Sequence, residues 1–362
     1  MIVHIYKKIR HLLSTHWLTI AFLLGFVVDN LTLTRVDRIF DNAVLFTYVV
    51  LTMLSIYLLY AGIAGKFTER IGEFFKLRAP LVTQYAIGGL LSGMLIFYSR
   101  GGSLTDSWPF ICIIVGVIIG NEVIKDRAER LVYNLVIFFV GLFSYSALVV
   151  PIILGKMGPW IFVLSGLVAL FVLVVFVKLL EVVVPNFIRM EKRHIVFIIG
   201  LVYVGFNALY FTNVIPPIPL SLKDVGIYHS VVHYEDGTYA LLYEKPRWWQ
   251  WYRTSDKEFH PVAGDNIYCY ASVFAPSRLA TKIYHKWEQY DETTGEWREH
   301  GRFAYSIAGG RDDGYRGYTQ IANFSEGKWR CTVETERGQV IGREEFFVKE
   351  GTPRELVTRR DG

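Results

Sequence analysis

The sequence predicts two domains of different classes: an α-helical membrane bundle of about seven transmembrane helices and a C-terminal all-β sandwich of the immunoglobulin-like type. Residues 17–215 are mostly long apolar runs broken by short charged clusters. Lys and Arg concentrate in alternate connections between those runs. Residues 222–362 instead carry charges, glycines and short aromatic segments separated by turn residues. At 362 residues, the chain is long enough to hold both domains.

The composition favours a membrane protein over several other classes. The chain is 52% hydrophobic with a mean hydropathy of +0.31, which is high for 20% charged residues. Its net charge of +5 comes largely from Lys and Arg beside apolar runs, the positions that set membrane topology. The sequence has no nucleic-acid module signature, phosphate-binding glycine loop, His-rich metal motif or nucleophile elbow. We expect no nucleic-acid partner, no metal and no cofactor.

Seven apolar segments are long enough to cross a hydrocarbon core of roughly 30 Å, which takes about 20 residues. They are 16–34, 43–65, 79–99, 108–125, 130–151, 159–184 and 194–215. We interpret the first as an uncleaved span, because its apolar run ends in Asp29 and Asn30 and lacks a small-residue cleavage site. The predicted boundaries are a transmembrane domain at 1–215, a proline-containing linker at 216–223, a β-domain at 224–350 and a flexible tail at 351–362.

The distribution of Lys and Arg predicts the orientation. The N-terminal segment and the second, fourth and sixth connections carry thirteen of these residues, and the other three connections carry four. Because positive residues concentrate on the cytoplasmic side, the N-terminus is predicted to be cytoplasmic. An odd number of spans then places the β-domain outside, in the periplasm of a two-membrane cell. The expected location is the cell inner membrane, with the lipid bilayer as a partner.

Six polar residues fall inside the predicted spans. They are Asp29, Asn30, Glu122, Lys125, Lys178 and Glu181. Charges are costly in lipid and usually face a bundle interior or an aqueous cavity, so one interpretation is a polar cavity or ion path. The other is a pair of local i, i+3 ion pairs whose lysines reach the headgroups. The local interpretation is favoured for the two pairs, whereas both stay open for Asp29, which has no basic partner one turn away.

Short alternating or aromatic runs predict about eight strands in the β-domain. The runs are 225–234, 238–243, 266–274, 280–290, 302–307, 315–321, 327–334 and 339–348. Turn residues at 235–237, 293–295 and 337–338 separate several of them. In the seventh run, Trp329, Cys331 and Val333 alternate with polar residues, the pattern of a strand with one buried face.

Part of the β-domain is similar to a known family. The segments that carry the similarity are IYHKW at 283–287, GGRDDGYRGY at 309–318, GKWRCTV at 327–333 and GQVIGREEFFV at 338–348. Together they resemble a bacterial C-terminal domain of unknown function that often follows a multi-helix membrane region. The resemblance spans roughly residues 265–350. It supports the fold and the layout of the chain and implies no activity.

The block Arg247–Arg253 is the most unusual stretch of the β-domain. Its candidate binding residues are Trp248, Trp249, Trp251, Tyr252 and Arg253. A strand here would place Trp249 and Trp251 on one face and Trp248 on the other. Three interpretations are open: a sugar-stacking platform, an interfacial membrane anchor, or packing in the core and at a sheet edge. Because the aromatic density exceeds what one small sandwich can bury, we expect part of the block to be exposed.

Four further residues are candidate contacts. His285 and Trp287 would share a strand face, and Arg311 and Arg316 lie in a glycine-rich loop. A catalytic interpretation would pair His285 with a loop aspartate as base and orienter. The favoured interpretation is structural, with His285 in a buried hydrogen bond and the loop as a charged turn.

Two of the three cysteines are candidates for a disulfide. Cys112 falls in an apolar span, whereas Cys269 and Cys331 lie on predicted strands of a domain expected in an oxidising compartment. A disulfide needs Cα atoms within about 7 Å, a distance that sequence does not define, so the pairing is a hypothesis.

These features favour a non-enzymatic envelope protein. Its β-domain would bind an envelope protein, a glycan or the membrane face through the aromatic and Arg-rich surface. A transporter or channel is the alternative, with the polar residues of the bundle lining a path. An enzyme acting on lipid-linked envelope material is a weaker alternative. The oligomeric state is left open.

The predicted topology can be tested with a reporter. Alkaline phosphatase fused after residue 350 should be active, because that reporter works only outside the cytoplasm and the C-terminal domain is predicted to lie there. Activity from a cytoplasmic reporter alone at the same position would overturn the topology.

Overall fold

The computed structural model describes residues 26–102, 104–123, 130–262, 264–311 and 313–361. The chain divides into two compact units. The helical unit contains the described residues up to Ser99 together with Trp108–Ile215. The sheet-rich unit contains Arg100–Ser107 and the described residues from Pro216 onward.

Seven helices occur in the described N-terminal part. They are α1, whose described part is 26–32, α2 Ile39–Ile63, α3 Glu69–Arg100, α4 Leu104–Val123, α5 Leu131–Leu154, α6 Pro159–Val183 and α7 Pro185–Phe211. Five of them (α2, α3, α5, α6 and α7) are long and apolar enough to cross a membrane. Within α4 the apolar run is shorter, Ser107–Gly120. Most of the first predicted span, 16–34, lies outside the described residues.

Two predicted connections are helical instead of irregular. α3 begins at Glu69, well before the predicted span, and continues through Pro80. α7 begins at Pro185, directly after α6, and includes the basic cluster 189–193. Proline fits the first position of α7 because the first turn of a helix does not use its N–H groups. The apolar pattern therefore located the two helices but predicted them too short, because their first turns are polar.

The helical unit is packed around α5, which contacts α2, α6 and α7. Glycines allow close approach between helices. Gly141 of α5 faces Leu90 of α3, and Gly89 of α3 faces the ring of Tyr48 of α2, where an added Cβ would come within 2.4 and 2.5 Å of the neighbour. Stacked rings fill the space between α5, α6 and α7, in the pairs Phe143–Phe206, Phe143–Tyr203 and Phe162–Tyr210.

Eleven strands are described in the sheet-rich unit. They are β1 Ser221–Tyr228, β2 Ser230–His233, β3 Tyr239–Glu244, β4 Glu258–Phe259, β5 Ile267–Phe274, β6 Ala280–Asp291, β7 Glu296–Ala308, β8 Tyr315–Ile321, β9 Gly327–Thr335, β10 Val340–Val348 and β11 Leu356–Asp361. They form three sheets, in the orders β1-β5-β8, β4-β10-β9-β6-β7 and β11-β3-β2. Paired strands are antiparallel except for the short β4, which lies parallel to β10.

The first two sheets share one hydrophobic core, which contains Trp287 and Phe346. The alternation predicted for β9 is confirmed, because Trp329, Cys331 and Val333 are all buried. A disulfide joins Cys269 of β5 to Cys331 of β9, with Cα atoms 6.5 Å apart, and so ties the two sheets together. Closing a loop of this length, with a sequence separation of 62, stabilises the fold by about 4 kcal/mol in the chain-entropy model.

Two predicted boundaries and one assumed strand in the C-terminal domain are wrong. Residues 351–361 are not a flexible tail, because β11 pairs with β3 over six residues and so has its backbone hydrogen bonds satisfied. β1 already begins at Ser221, inside the predicted linker, and the predicted run 225–234 divides into β1 and β2, which join different sheets. The block Arg247–Arg253 is not a strand, since Trp248–Gln250 forms a turn of 3-10 helix.

Candidate functional site

The sheet-rich unit exposes a row of aromatic side chains on one loop. We call Arg247–Arg253 the aromatic loop; it follows β3 and contains the 3-10 turn. Side chains on such a turn point in successive directions and do not alternate across a sheet. Trp248, Trp249, Trp251 and Tyr252 are 84%, 50%, 81% and 64% exposed. The prediction that part of the block is exposed is confirmed, and packing of these rings in the core is excluded.

The exposed rings are splayed. The planes of Trp248 and Trp249 meet at 89°, and those of Trp251 and Tyr252 at 84°. The guanidinium carbon of Arg247 lies 5.4 Å from the centre of the Trp249 ring, and that of Arg253 lies 5.9 Å from the Tyr252 ring. Neither guanidinium forms an ion pair with a carboxylate in the described part of the chain. The surface therefore combines apolar rings with two positive charges, of which that of Arg247 also acts on Glu258 and helps to lower the pKa of its carboxyl.

Two buried carboxylates close the aromatic loop. Glu244 is the last residue of β3 and Asp256 follows the loop, and their exposed fractions are 3% and 2%. The backbone N–H of Glu244 donates to Oδ1 of Asp256 at 2.7 Å, across a separation of 12 residues. This hydrogen bond therefore holds the two ends of the loop together at its base.

The Glu244 carboxylate holds three separate segments of the chain. Its Oε1 accepts the backbone N–H of His260 at 3.0 Å and lies 2.8 Å from Nδ1 of the same residue. Its Oε2 accepts a hydrogen bond from Nε of Arg354 at 3.1 Å, and Nε2 of His229 lies 3.6 Å from Oε1. Burial would raise the pKa of Glu244, but the contacts with His229, His260 and Arg354 lower it to about 2. The carboxylate is therefore ionised at neutral pH.

Asp256 lies close to the same imidazole as Glu244. Its Oδ2 is 3.8 Å from Nε2 of His229, and neither atom has a hydrogen-bond partner in the described part of the chain. Burial raises the pKa of Asp256 to about 7. Burial would lower the pKa of His229, but Glu244 and Asp256 raise it. We call His229, Glu244, Asp256, His260 and Arg354 the loop base; the raised pKa of Asp256 lets this carboxyl hold a proton at a higher pH than an exposed aspartic acid.

A cavity of about 230 Å³ lies between the aromatic loop and the loop base. The loop contributes Arg247, Gln250 and Arg253 to its wall. The base contributes Asp256 and Arg354. The cavity is large enough for a small polar group, and the exposed rings stand next to its wall. The loop, its base and this cavity are the candidate functional site.

His285 and Trp287 share a strand face as predicted, but that face belongs to the core. Nδ1 of His285 is 3.1 Å from Oγ1 of Thr319, which also accepts a hydrogen bond from Nε1 of Trp287 at 3.0 Å. Burial lowers the pKa of His285 to about 3, so the imidazole stays neutral. The structural interpretation of His285 is confirmed. The prediction that His285 and Trp287 bind a ligand is wrong, because both are fully buried.

His285 also lies near the disulfide. Its imidazole and the sulfurs of Cys269 and Cys331 are within 4.8 Å of one another, a spacing that suits metal ligands. Because the two sulfurs are bonded to each other, they are not available as thiolate ligands. This cluster is therefore part of the core and not a metal site.

The two arginines of the glycine-rich loop differ in their surroundings. Arg311 is exposed, with its guanidinium carbon 5.4 Å from the ring of Tyr315. Arg316 is almost buried and pairs with Asp361 of β11 at 3.6 Å and with Asp313 at 4.0 Å. Arg316 therefore anchors the C-terminal strand, and its role as a ligand contact stays a prediction.

Among the predicted intramembrane polar residues whose side chains the structure describes, no common site forms. Asp29 is buried, with Oδ1 3.4 Å from the hydroxyl of Tyr48, whereas Asn30 is exposed. Lys178 and Glu181 are exposed on the surface of α6. The side chains of Glu122 and Lys125 lie outside the described residues.

The loop base was not predicted from the sequence. One signal was present, since the acids Glu244 and Asp256 flank the aromatic block at similar distances on its two sides. The remaining members gave no local signal, because Arg354 meets Glu244 across 110 residues of sequence.

Comparison with known proteins gives one family match. Residues 280–348, from β6 to the end of β10, match the family described as "Protein of unknown function (DUF2914)". The C-terminal part of the chain therefore carries a DUF2914 domain, and the aromatic loop lies before the matched segment. No curated protein matches the chain.

One similar solved structure is the Pseudomonas fluorescens alkylpurine DNA glycosylase AlkC bound to DNA containing an abasic site analog. It is 12% identical, the alignment covers 87% of this chain and 99% of that one, and the TM-score is 0.20. At that TM-score the similarity carries no argument about fold or function.

The buried Asp256 predicts a pH-dependent stability. An acid whose pKa is raised in the folded state stabilises the fold at low pH, and this contribution is lost as the pH rises through the folded-state value of about 7. Stability of the sheet-rich unit should therefore fall between about pH 4 and pH 8, on the order of 4 kcal/mol from this group.

The substitution Asp256→Asn, which keeps the shape and stays neutral, should flatten that fall. The measurement is the thermal unfolding midpoint of the full chain against pH. Glu355→Gln, which changes an exposed carboxylate paired with Lys245, is the matched control and should keep the wild-type slope. Equal slopes in the Asp256→Asn variant and the wild type would contradict the assignment.

Proposed function

We propose that this chain is an integral inner-membrane protein with seven spans, a cytoplasmic N-terminus and a periplasmic sheet-rich unit that docks on the membrane face through the aromatic loop. The function is recognition without catalysis. Five helices with the length and composition of spans support the membrane part. The Lys and Arg excess in alternate connections supports the orientation. The disulfide between Cys269 and Cys331 fits an oxidising compartment.

The observation that carries the docking proposal is the exposure of four neighbouring aromatic side chains beside two unpaired arginines. Exposed apolar patches rimmed by polar groups usually mark contact sites. Trp and Tyr favour the headgroup region of a bilayer, because an apolar ring is joined to a polar N–H or O–H group. Arginine adds attraction to anionic lipids.

The ring geometry favours a membrane face over a sugar platform. A platform presents ring faces in similar planes, so that flat sugar faces can cover them. In the aromatic loop, neighbouring planes are nearly perpendicular, at 89° and 84°. Splayed rings of this kind can enter a fluid headgroup layer, which adapts to their shape. A glycan partner therefore stays an alternative outcome of the experiment below.

The transporter alternative has less support. It requires the polar residues of the bundle to line a common path, and among the described ones Lys178 and Glu181 are exposed while Asp29 is next to Tyr48. Stacked aromatic rings occupy the space between α5, α6 and α7.

The enzyme alternative also has less support. Its candidate general base, His285, is fully buried.

Fluorescence quenching in bilayers tests the docking proposal. The full chain is reconstituted in phosphatidylcholine bilayers whose acyl chains carry bromine, which quenches indoles that enter the interface. The fluorescence of the loop is the difference in tryptophan emission between the wild type and the triple variant Trp248→Phe, Trp249→Phe and Trp251→Phe. We expect brominated lipid to remove at least about half of this difference signal, because the rings sit at headgroup depth.

The matched control is Trp297→Phe on β7, since Trp297 also lies close to cations, 4.1 Å from Arg330 and 5.2 Å from Lys328. Its difference signal should be insensitive to brominated lipid. A loop signal that brominated lipid leaves unchanged would refute membrane docking. If envelope polysaccharide then shields the same signal from acrylamide, the glycan interpretation replaces it.

A further inference from the structure

We propose that the cavity beneath the aromatic loop is an anion site that takes the phosphate of an anionic phospholipid headgroup. This inference rests on the proposed membrane docking and deepens it, because it names the group that the docked loop would bind. The evidence is the charge balance of the cavity wall and two buried polar atoms of its lining residues that have no hydrogen-bond partner among the described residues.

The wall of the cavity has more available donors than available acceptors. Arg247 and Arg253 line it and form no ion pair with any described residue. Both are held near ring faces, which fixes their position without neutralising their charge. Guanidinium groups suit phosphate, because their planar array of N–H donors matches two phosphate oxygens at once.

Two of the three acidic residues of the wall, Glu244 and Glu258, are already paired with cations. Glu244 is satisfied by His260 and Arg354. Glu258 accepts a hydrogen bond from Lys349 at 2.5 Å, and its other oxygen lies 3.8 Å from Arg354. The remaining charge of the wall is therefore positive, which attracts an anion into the cavity.

Two lining residues of the cavity each carry a buried polar atom without a described hydrogen-bond partner. Oδ2 of Asp256 and Nη1 of Arg354 have no hydrogen-bond partner in the described part of the chain, although both residues line the cavity. Asp256 is 2% exposed, so the Oδ2 atom is shielded from bulk water. Buried polar groups without partners are costly, and a ligand that bonds to them removes that cost.

The protonation of Asp256 suits a phosphate ligand. Because burial raises its pKa to about 7, the side chain can carry a proton at neutral pH and donate it in a hydrogen bond to a phosphate oxygen. A phosphate in the cavity would then meet donors from Arg247, Arg253, Arg354 and Asp256. The neighbouring indoles would lie at the depth of the same headgroup.

Lipid-selective quenching tests the site in the full chain. Nanodiscs of unlabelled phosphatidylcholine receive equal mole fractions of either brominated phosphatidylglycerol or brominated phosphatidylcholine. The loop fluorescence, defined as before by the triple tryptophan variant, should be quenched more by brominated phosphatidylglycerol. The association constant for phosphatidylglycerol should be on the order of tenfold higher than that for phosphatidylcholine. Inorganic phosphate in the buffer should reduce this preference by competing for the same donors.

Three variants separate a phosphate site from general surface charge. The double variant Arg247→Gln with Arg253→Gln should reduce the ratio of the two association constants to about one, since both guanidinium groups are lost. Arg247→Lys with Arg253→Lys keeps the charge and should still lose most of the preference, because an ammonium lacks the paired donors. The control Arg360→Gln changes an exposed arginine that lies 5.6 Å from the ring of Tyr234, outside the cavity, and should keep the wild-type preference.

The outcomes distinguish the two levels of the proposal. Equal quenching by both brominated lipids in the wild type would overturn the anion site and leave membrane docking intact. No quenching by either lipid would overturn both. If the double lysine variant keeps the full preference, or if Arg360→Gln loses as much as the double glutamine variant, attraction by surface charge explains the effect and the anion site is refuted.

Discussion

The buried carboxylate of Glu244 is the interaction on which the candidate site depends. It receives hydrogen bonds from His260 and Arg354 and lies beside His229, so residues distant in sequence meet at one charge. An ionised carboxylate is stable in a buried place only when several donors surround it. Removing one partner of such a buried charge typically costs about 3–5 kcal/mol. The donors and the carboxylate therefore hold one another in place.

This constraint explains how the aromatic loop stays exposed. Apolar rings on a mobile loop would tend to fold back onto the protein, because burial of apolar surface is favourable. Here the N–H of Glu244 bonds to Asp256 across the base of the loop, and the 3-10 turn directs the side chains outward. The ends of the loop are thus fixed by buried polar contacts. A surface held in this way loses less entropy when it binds, which favours a recognition function.

The sequence predicted the features that rest on local patterns. The apolar runs located α2 to α7, and alternation located the strands except β4 and β11, including the buried face of β9 with Trp329 and Cys331. The density of aromatic residues at 248–252 predicted exposure correctly, although the assumed strand was wrong, because a short 3-10 turn has no periodic signal. Period-two reasoning also placed His285 and Trp287 on one face, but it cannot tell which face of a strand is buried.

The features that the sequence did not predict depend on contacts between distant residues. The pairing of β11 with β3 turns a presumed tail into a strand, and it brings Arg359 to Asp224 and Arg316 to Asp361. The loop base likewise assembles from residues between His229 and Arg354. Single-sequence patterns describe faces and turns within a segment, and they carry no information on which charged residues meet after folding.

Hydrogen exchange of the full chain tests the central claim that buried polar contacts hold the aromatic loop at its base. The amides of Glu244 and His260 donate to Asp256 and to Glu244, so they should exchange slowly, whereas the exposed tip at Trp248 and Trp249 should exchange quickly. In Glu244→Gln, protection at both amides should fall at least about tenfold, because the buried charge that orders them is gone. Uniformly fast exchange from residue 244 to residue 260 in the wild type would contradict the account.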